Sequence, residues 1–238
     1  GEGGIAGATV TLIGGDDTST SVQTGANGIY NFTGLTPGVQ YQVQFDTTGY
    51  VITTRDAGLD DTADSDIGAD GKTQIVTLAS GENNITLDAG VYQLASLGDR
   101  VWEDTDGNGR QDGGENGIGG VRVILRDCLN NNAYVGETTT DADGNYAFTG
   151  LKPGTYKVEF VTPNGYVQTG QDVVIADDGT DSDAGAGGLT GCYELESGET
   201  DNTVDAGFYR LASLGDRLWL DANADGVQAG VGNFVAPG

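Results

Sequence analysis

Apolar residues recur at every second position in short runs along this chain, and Gly-rich polar clusters separate the runs. Val121-Arg122-Val123 and Tyr146-Ala147-Phe148 are two examples. A period of two puts successive side chains on opposite faces of an extended backbone, so it predicts β-strands rather than helices. In the better-defined half of the chain the pattern predicts strands at 96–102, 121–126, 133–139, 145–149, 155–161, 165–169, 190–196 and 203–210. Asp141-Ala142-Asp143-Gly144-Asn145 is turn chemistry between two alternating runs and predicts a hairpin. Short strands in this number and at this spacing predict an antiparallel sandwich, so the fold class is all-β.

Self-comparison shows that one unit is written twice. Ala95-Ser96-Leu97-Gly98-Asp99-Arg100-Val101-Trp102 returns as Ala212-Ser213-Leu214-Gly215-Asp216-Arg217-Leu218-Trp219. Asp88-Ala89-Gly90-Val91-Tyr92 returns as Asp205-Ala206-Gly207-Phe208-Tyr209, and Phe32-Thr33-Gly34-Leu35 as Phe148-Thr149-Gly150-Leu151. Gly4-Ile5-Ala6-Gly7 aligns with Gly117-Ile118-Gly119-Gly120 at a shorter offset, so a slip falls between residues 13 and 27. Length changes belong in loops, which marks a hairpin tip there. The expected organisation is a first sandwich over 1–95, a second over 96–212 with its leading strand, and the start of a third, incomplete or divergent repeat over 213–238. Gly1-Glu2-Gly3-Gly4-Ile5 reads as the tail of a loop whose start is missing, which predicts a piece of a longer protein.

That loop is complete once. Asp104-Thr105-Asp106-Gly107-Asn108-Gly109-Arg110-Gln111-Asp112-Gly113-Gly114-Glu115 follows the calcium-loop pattern. Side-chain oxygens stand on alternate residues at Asp104, Asp106 and Asn108. Gly109 sits where the chain must turn sharply, and Arg110 offers its carbonyl. Asp112 follows, and Glu115 is the expected bidentate ligand. Calcium takes six to eight oxygens in flexible geometry, which a short carboxylate-rich loop can supply. The flanks read as strands rather than helices. Strand, loop and strand follow without a linker, so a bound ion is expected to clamp neighbouring units together. A third copy begins as Asp221-Ala222-Asn223-Ala224-Asp225-Gly226 but has Ala229 and Gly232 at the last two ligand positions, so weak or no binding is expected there.

Charge strengthens the case for a cation. The 36 acidic and 10 basic residues give a formal net charge of −26. Such self-repulsion opposes compaction, and bound divalent cations relieve it. The same charge excludes nucleic acid and insertion into anionic membrane, and no apolar run is long enough to span one. The chain has no histidine. That removes the usual general base and typical zinc ligation, and nothing singles out a carboxylate pair, so no enzyme is expected.

The run Leu97-Gly98-Asp99-Arg100-Val101-Trp102 through the loop to Val123 resembles the B domains of serine-aspartate-repeat bacterial surface adhesins. Thr140-Asp141-Ala142-Asp143-Gly144-Asn145-Tyr146-Ala147-Phe148-Thr149-Gly150-Leu151 is similar to the related collagen-adhesin B-type domains. The resemblance spans nearly the whole chain. It implies tandem immunoglobulin-like sandwiches joined by calcium-binding loops, located outside the cell or on its surface. The role it implies is a calcium-rigidified stalk or spacer; a subunit of an extracellular filament and a ligand-binding adhesive domain are the alternatives. Partners would be neighbouring repeats of the same chain, other copies in a filament, or host and surface ligands. Many B-type relatives carry a Lys–Asn cross-link, but Lys72, Lys152 and Lys157 lie off the first strand of either copy, so none is expected here.

Two further features stand out. Asp60, Asp61, Asp64, Asp66 and Asp88 recur as Asp177, Asp178, Asp181, Asp183 and Asp205. Carboxylates this close repel unless paired or metal-bound, so each set is a candidate second calcium site. Cys128 and Cys192, the two cysteines of the chain, favour a disulfide in a secreted context. Trp102 and Trp219 are expected to be core or junction aromatics.

Overall fold

The computed structural model describes residues 2–15, 18–57, 60–171, 179–221, 224 and 226. Six strands come first: β1 Thr9–Gly14, β2 Ser19–Gln23, β3 Gln40–Phe45, β4 Val51–Ile52, β5 Val76–Thr77 and β6 Val91–Tyr92. Nine follow: β7 Ala95–Glu103, β8 Arg122–Asp127, β9 Ala133–Thr139, β10 Asn145–Leu151, β11 Gly154–Phe160, β12 Val167–Gln168, β13 Tyr193–Leu195, β14 Thr200–Asp201 and β15 Ala206–Tyr209. Among the described residues there is no helix.

The second unit is a sandwich of two sheets. One runs β13-β11-β8-β9 and is antiparallel throughout. The other runs β10-β7-β15-β12, with β14 also on β7. β7 is antiparallel to β10 but parallel to β14 and β15. Alternation decides what lies between the sheets: Val123, Leu125, Val158 and Phe160 from one sheet meet Leu97, Val101, Tyr146, Phe148, Ala206 and Phe208 from the other. Tyr146 sets its ring edge against Phe160 at 5.4 Å. Trp102 is 0% exposed, a core aromatic as its alternating context predicts, and its indole lies over Gly207, where even a Cβ would come within 2.8 Å of the ring.

The first unit repeats half of this. Its sheet β2-β1-β3-β5 matches β9-β8-β11-β13, with Val10, Leu12, Tyr41 and Val43 as the buried set. The opposite side is reduced to the ribbon β4-β6. Tyr30, Phe32, Leu35 and Leu87 pack against the core only partly buried. Their counterparts Tyr146, Phe148, Leu151 and Val204 are buried in the cluster that includes Leu97 and Val101 of β7.

One sequence expectation changes in the structure. The slip between copies does fall at a hairpin tip, between β1 and β2 and between β8 and β9. The Asp141–Asn145 turn, however, is not a hairpin of two paired strands. β9 pairs with β8 while β10 pairs with β7, so the turn carries the chain from one sheet to the other. The local turn chemistry was legible; the partner of the strand after it depends on β7, some forty residues upstream. The leading strand of the third repeat forms no strand here: Leu214 and Leu218 are exposed and Trp219 is 39% exposed.

Candidate metal centre

β7 delivers the loop. Its last residue, Glu103, pairs with Phe208 of β15, and Asp104 N–H then donates to the Phe208 carbonyl at 2.8 Å. This pins Asp104 at 0% exposure. Its carboxylate turns back into the loop and collects donors: Gly107 N–H at 2.7 Å and Asn108 N–H at 3.2 Å on Oδ1, and Gly109 N–H at 2.9 Å on Oδ2. The Thr169 hydroxyl, from the end of β12, also donates to Oδ2. Burial works against the charge, but Thr169 and the three N–H groups outweigh it and hold the Asp104 carboxyl below its ordinary range. Gly109 takes φ +82°, a left-handed conformation that a side chain would strain, as expected for the sharp turn.

The far end of the loop closes on the near end. Glu115 is buried; its Oε1 accepts Thr105 N–H at 2.7 Å and its Oε2 accepts Asp112 N–H at 3.0 Å. Oxygens of Asp104, Asp106 and Glu115 come within 4.8 Å of one another, the one such meeting of three ligating groups among the described residues. The Asn108 amide stands between Asp106 and Asp112 and donates to Asp106 Oδ2 at 3.1 Å and Asp112 Oδ2 at 2.7 Å. Three carboxylates therefore meet, and Asn108 ties Asp112 to this group. An amide bridging two carboxylates does what a cation would do more strongly, and a turn of that amide would present its oxygen instead. The oxygen-only donor set, and a turn glycine in the left-handed region, fit a hard divalent cation such as calcium. Arg110 lies at an isolated antiparallel bridge with Asp181, and Gln111 N–H donates to the Thr180 carbonyl at 2.7 Å.

These anchors relocate the loop. It does not bridge the first and second units as the uninterrupted strand–loop–strand order suggested. Its partners Thr169, Thr180, Asp181 and Phe208 all belong to the second unit. The two units meet at Gln93, whose N–H donates to Ser197 Oγ at 2.8 Å. β7 separates that contact from Asp104 by its full length, roughly 30 Å at about 3.3 Å per residue. Because β15 runs parallel to β7, the chain leaves the unit beside the loop: Arg210 pairs with Glu103 at 3.4 Å and stacks on Tyr166. Sequence order alone could not reveal this, since it depends on the parallel pairing.

The repeated acids take a different form. Asp66 N–H donates to the Asp88 carbonyl at 3.0 Å, and Asp88 N–H returns to Asp66 Oδ2 at 2.9 Å. Asp183 and Asp205 repeat the exchange at 3.1 and 2.7 Å. Gln74 caps Asp66 Oδ1, and the Tyr193 hydroxyl caps Asp183 Oδ1. Asp66 and Asp183 thus act as buried clamps between two chain segments. Asp88 collects the charge: burial foremost, then Asp66, Asp64 and Asp61, push its carboxyl up to about 6. Asp60 is exposed, and its Oδ1 accepts from both the N–H and the hydroxyl of Thr62. Asp177 and Asp178 lie outside the described residues, as do Asn223 and Asp225 of the third loop. Within that loop Gly226 N–H donates to Asp221 Oδ2 at 2.8 Å, as Gly109 does to Asp104. Cys128 and Cys192 are joined in a disulfide that ties the end of β8 to the segment entering β13.

Sequence reasoning missed Thr169, Thr105 and Asp99. Thr169 had a signal, since Tyr50-Val51-Ile52-Thr53 returns as Tyr166-Val167-Gln168-Thr169. Asp99 is half-buried; burial foremost, eased by Arg100 and reinforced by Asp201, raises its carboxyl to about 6.

Comparison with known proteins places the chain in a family. The chain is 42% identical over 236 residues to serine-aspartate repeat-containing protein F of Staphylococcus epidermidis, covering 95% of this chain and 13% of that protein. It is 41% identical over 229 residues to the bone sialoprotein-binding protein of Staphylococcus aureus, covering 94% of this chain and 19% of that one. The chain therefore spans less than a fifth of the length of these relatives. Among solved structures, the minor pilin GBS52 of Streptococcus agalactiae aligns with 91% of this chain and 88% of its own at 14% identity, with a TM-score of 0.35. The SdrD B-like domain model matches twice, over residues 1–91 and 95–208. With two matches covering nearly all of the described sandwich, the chain belongs to the SdrD B-like domain family.

Proposed function

We propose that this chain is a calcium-stiffened structural spacer of a cell-surface adhesin, holding apart other parts of that protein rather than performing chemistry. The observation that carries this reading is the meeting of Asp104, Asp106 and Glu115 oxygens within 4.8 Å of one another, with Asp104 fully buried and Asn108 tying Asp112 to Asp106. Three facing carboxylates are costly without a cation and favourable with one. Family membership and the length of the staphylococcal relatives support a repeat within a longer surface protein. The units 1–95 and 96–212, the calcium ligands named above and the Cys128–Cys192 staple belong to the same proposal. The acid set Asp60, Asp61, Asp64, Asp66 and Asp88, and its repeat Asp177, Asp178, Asp181, Asp183 and Asp205, belong to it as second cation positions.

The ion acts where the chain leaves the second unit. Bound there, it would lock β7, β12 and β15 together beside Arg210 and fix the direction in which the chain continues. The test is calorimetric titration with calcium, followed by limited proteolysis and small-angle scattering with and without chelator. We expect millimolar or tighter binding, the range of extracellular sites of this type. Chelation should open new cleavage between residues 104 and 117. No heat of binding, or an unchanged cleavage pattern after complete calcium removal, would refute the proposal.

A further inference from the structure

Among the described residues every sheet ends on edge strands, and all but one of these are short or interrupted. β4, β5, β6, β12 and β14 have two residues each and β13 has three. β9 and β10 are longer, but each breaks register against its neighbour, at Leu125/Arg126 and at Thr149/Leu151. β9 also sets Glu137 against Arg122 across the ladder at 2.6 Å. Such bulges and charges keep an open edge from pairing with another chain. β2, Ser19-Thr20-Ser21-Val22-Gln23, has neither. It pairs with β1 in unbroken register from Thr9↔Gln23 to Ile13↔Ser19 and ends its sheet, with no charged residue and no proline along it.

The ladder fixes which groups that edge offers. Gly14 N–H donates to the Thr18 carbonyl at 2.8 Å and Thr24 N–H to the Ala8 carbonyl at 2.9 Å, so the even-numbered residues of β2 bond to β1. Antiparallel pairs alternate, so Ser19, Ser21 and Gln23 turn their N–H and C=O groups to the open side. Their side chains lie on the outer face of the sheet, since Val22 packs on the core. Ser21 Oγ meets Thr11 Oγ1 at 2.9 Å, and Gln42 and Gln44 of β3 continue the face beside Ile13 and Thr11. The outward side chains of β1, β2 and β3 are all uncharged in a chain at −26, so a second copy meets little repulsion here. What precedes a unit does not reach this edge. The second unit has β7 and the calcium loop in place, and β7 joins the opposite sheet. β9, the counterpart of β2, still ends β13-β11-β8-β9.

We propose that β2 is a self-association edge, to which a second copy of this chain adds its own β2 antiparallel about a twofold axis through Ser21. In that register Ser21 faces Ser21 and Ser19 faces Gln23, as pairs that exchange both backbone bonds. On the inner side Thr20 of one copy stands opposite Val22 of the other, a β-branched pair. The run is therefore complementary to itself, whereas a charged partner finds no opposite charge on it. The two sheets β2-β1-β3-β5 become one continuous sheet across the axis. Both copies use the same edge, so the contact closes as a pair and grows no further. Strands this short bury less than a stable interface needs, so the pair is weak and forms where copies are crowded. The calcium loop takes no part, since its anchors lie on the second unit.

The experiment is sedimentation velocity of the 238-residue chain in millimolar calcium, from micromolar protein to about 1 mM. A monomer–dimer equilibrium is expected that tightens with added salt, because screening relieves the net repulsion while the edge itself carries no charge. Ser21→Pro removes an N–H that faces the open side rather than β1, a place where edge strands tolerate proline. It should weaken the dimer roughly tenfold or more. Ser21→Lys is the second variant. It lowers the net negative charge, which by itself favours association, but sets two ammonium groups against each other across the axis, so the dimer should weaken again. Leu129→Lys makes the same charge change on the exposed β8–β9 tip and should leave the dimer as tight as before or tighter. Circular dichroism and calcium titration of both Ser21 variants separate loss of the edge from loss of the fold. A monomer throughout, growth past the dimer, a dimer that withstands both Ser21 variants, or an equal loss in Leu129→Lys would overturn the proposal. If the dimer is absent while calcium uptake and protease protection persist, only this inference falls and the spacer reading stands.

Discussion

Glu115→Gln separates a calcium site from an acidic loop that holds itself together. The substitution keeps the shape and removes one charge. Without calcium two effects oppose each other. The amide turns an NH2 toward either Thr105 N–H or Asp112 N–H, leaving one buried donor without an acceptor. That costs about 1–3 kcal/mol. Against it, Glu115 no longer repels Asp104 and Asp106, whose oxygens lie within 4.8 Å. One such repulsion is worth about 1 kcal/mol in bulk water and about 3 kcal/mol at an effective dielectric constant near 20. The calcium-free stabilities of variant and parent should therefore agree within about 1–2 kcal/mol. With calcium the parent gains about 2.7 kcal/mol when the ion is a hundredfold above its dissociation constant, and about 4.1 kcal/mol at a thousandfold. The variant loses most of that gain. The assay is urea unfolding followed by the fluorescence of buried Trp102, on a Trp219→Phe background so that one indole reports, in calcium and in chelator. A variant that loses the same stability in both buffers would show that Glu115 serves the turn alone, and the metal argument would fail.

Thr169→Val keeps the volume and removes the hydroxyl that donates to Asp104 Oδ2; it should cost about 1.5–3 kcal/mol, as expected for a bond to a charged group, and should weaken calcium binding in the same titration. Unchanged binding and unfolding midpoint would show that the backbone N–H groups suffice. Reducing Cys128–Cys192, or replacing both with Ser, should lower stability by at most about 4 kcal/mol, the chain-entropy value for a closure of 64 residues; two reactive thiols in protein purified without reductant would refute the bridge. The pH response without calcium should be inverted. Asp88 and Asp99 have folded-state values of about 6 against an ordinary 3.8, so the folded chain binds more protons between those limits and gains stability as pH falls through that window. Asp104 is held below 3.8 and gives up stability only under the window. Denaturant midpoints in chelator that drop between neutral pH and about pH 5 would contradict this sign.

The strands were legible because alternation is a local signal, and the ends of β8, β9, β10 and β11 fall within about two residues of the pattern. The loop was legible because each ligand type stands at a fixed spacing within a short run. Thr169 was marked only by its recurrence as the counterpart of Thr53; its partner was not legible, because it reaches Asp104 across 65 residues. Asp66 and Asp183 stood out in the sequence by charge and repetition. What it did not show is that their carboxylates take up the N–H groups of Asp88 and Asp205 and caps from Gln74 and Tyr193, contacts between segments that no spacing rule connects.

By itself the sequence determined the all-β class, the duplication, the acidic balance and the chemistry of the Asp104–Glu115 loop. Those follow from residue type, period and repetition, which act over a few neighbours. Tertiary structure decided where that chemistry sits. β7 runs parallel to β15, so the loop lies where the chain leaves the second unit, and the joint between units falls to Gln93 and a Ser-Gly turn. It also decided what buries Ala95–Trp102, since β10, β14 and β15 close around Leu97, Val101 and Trp102. A strand's own pattern fixes which face is apolar, but only neighbouring strands supply the surface that buries it.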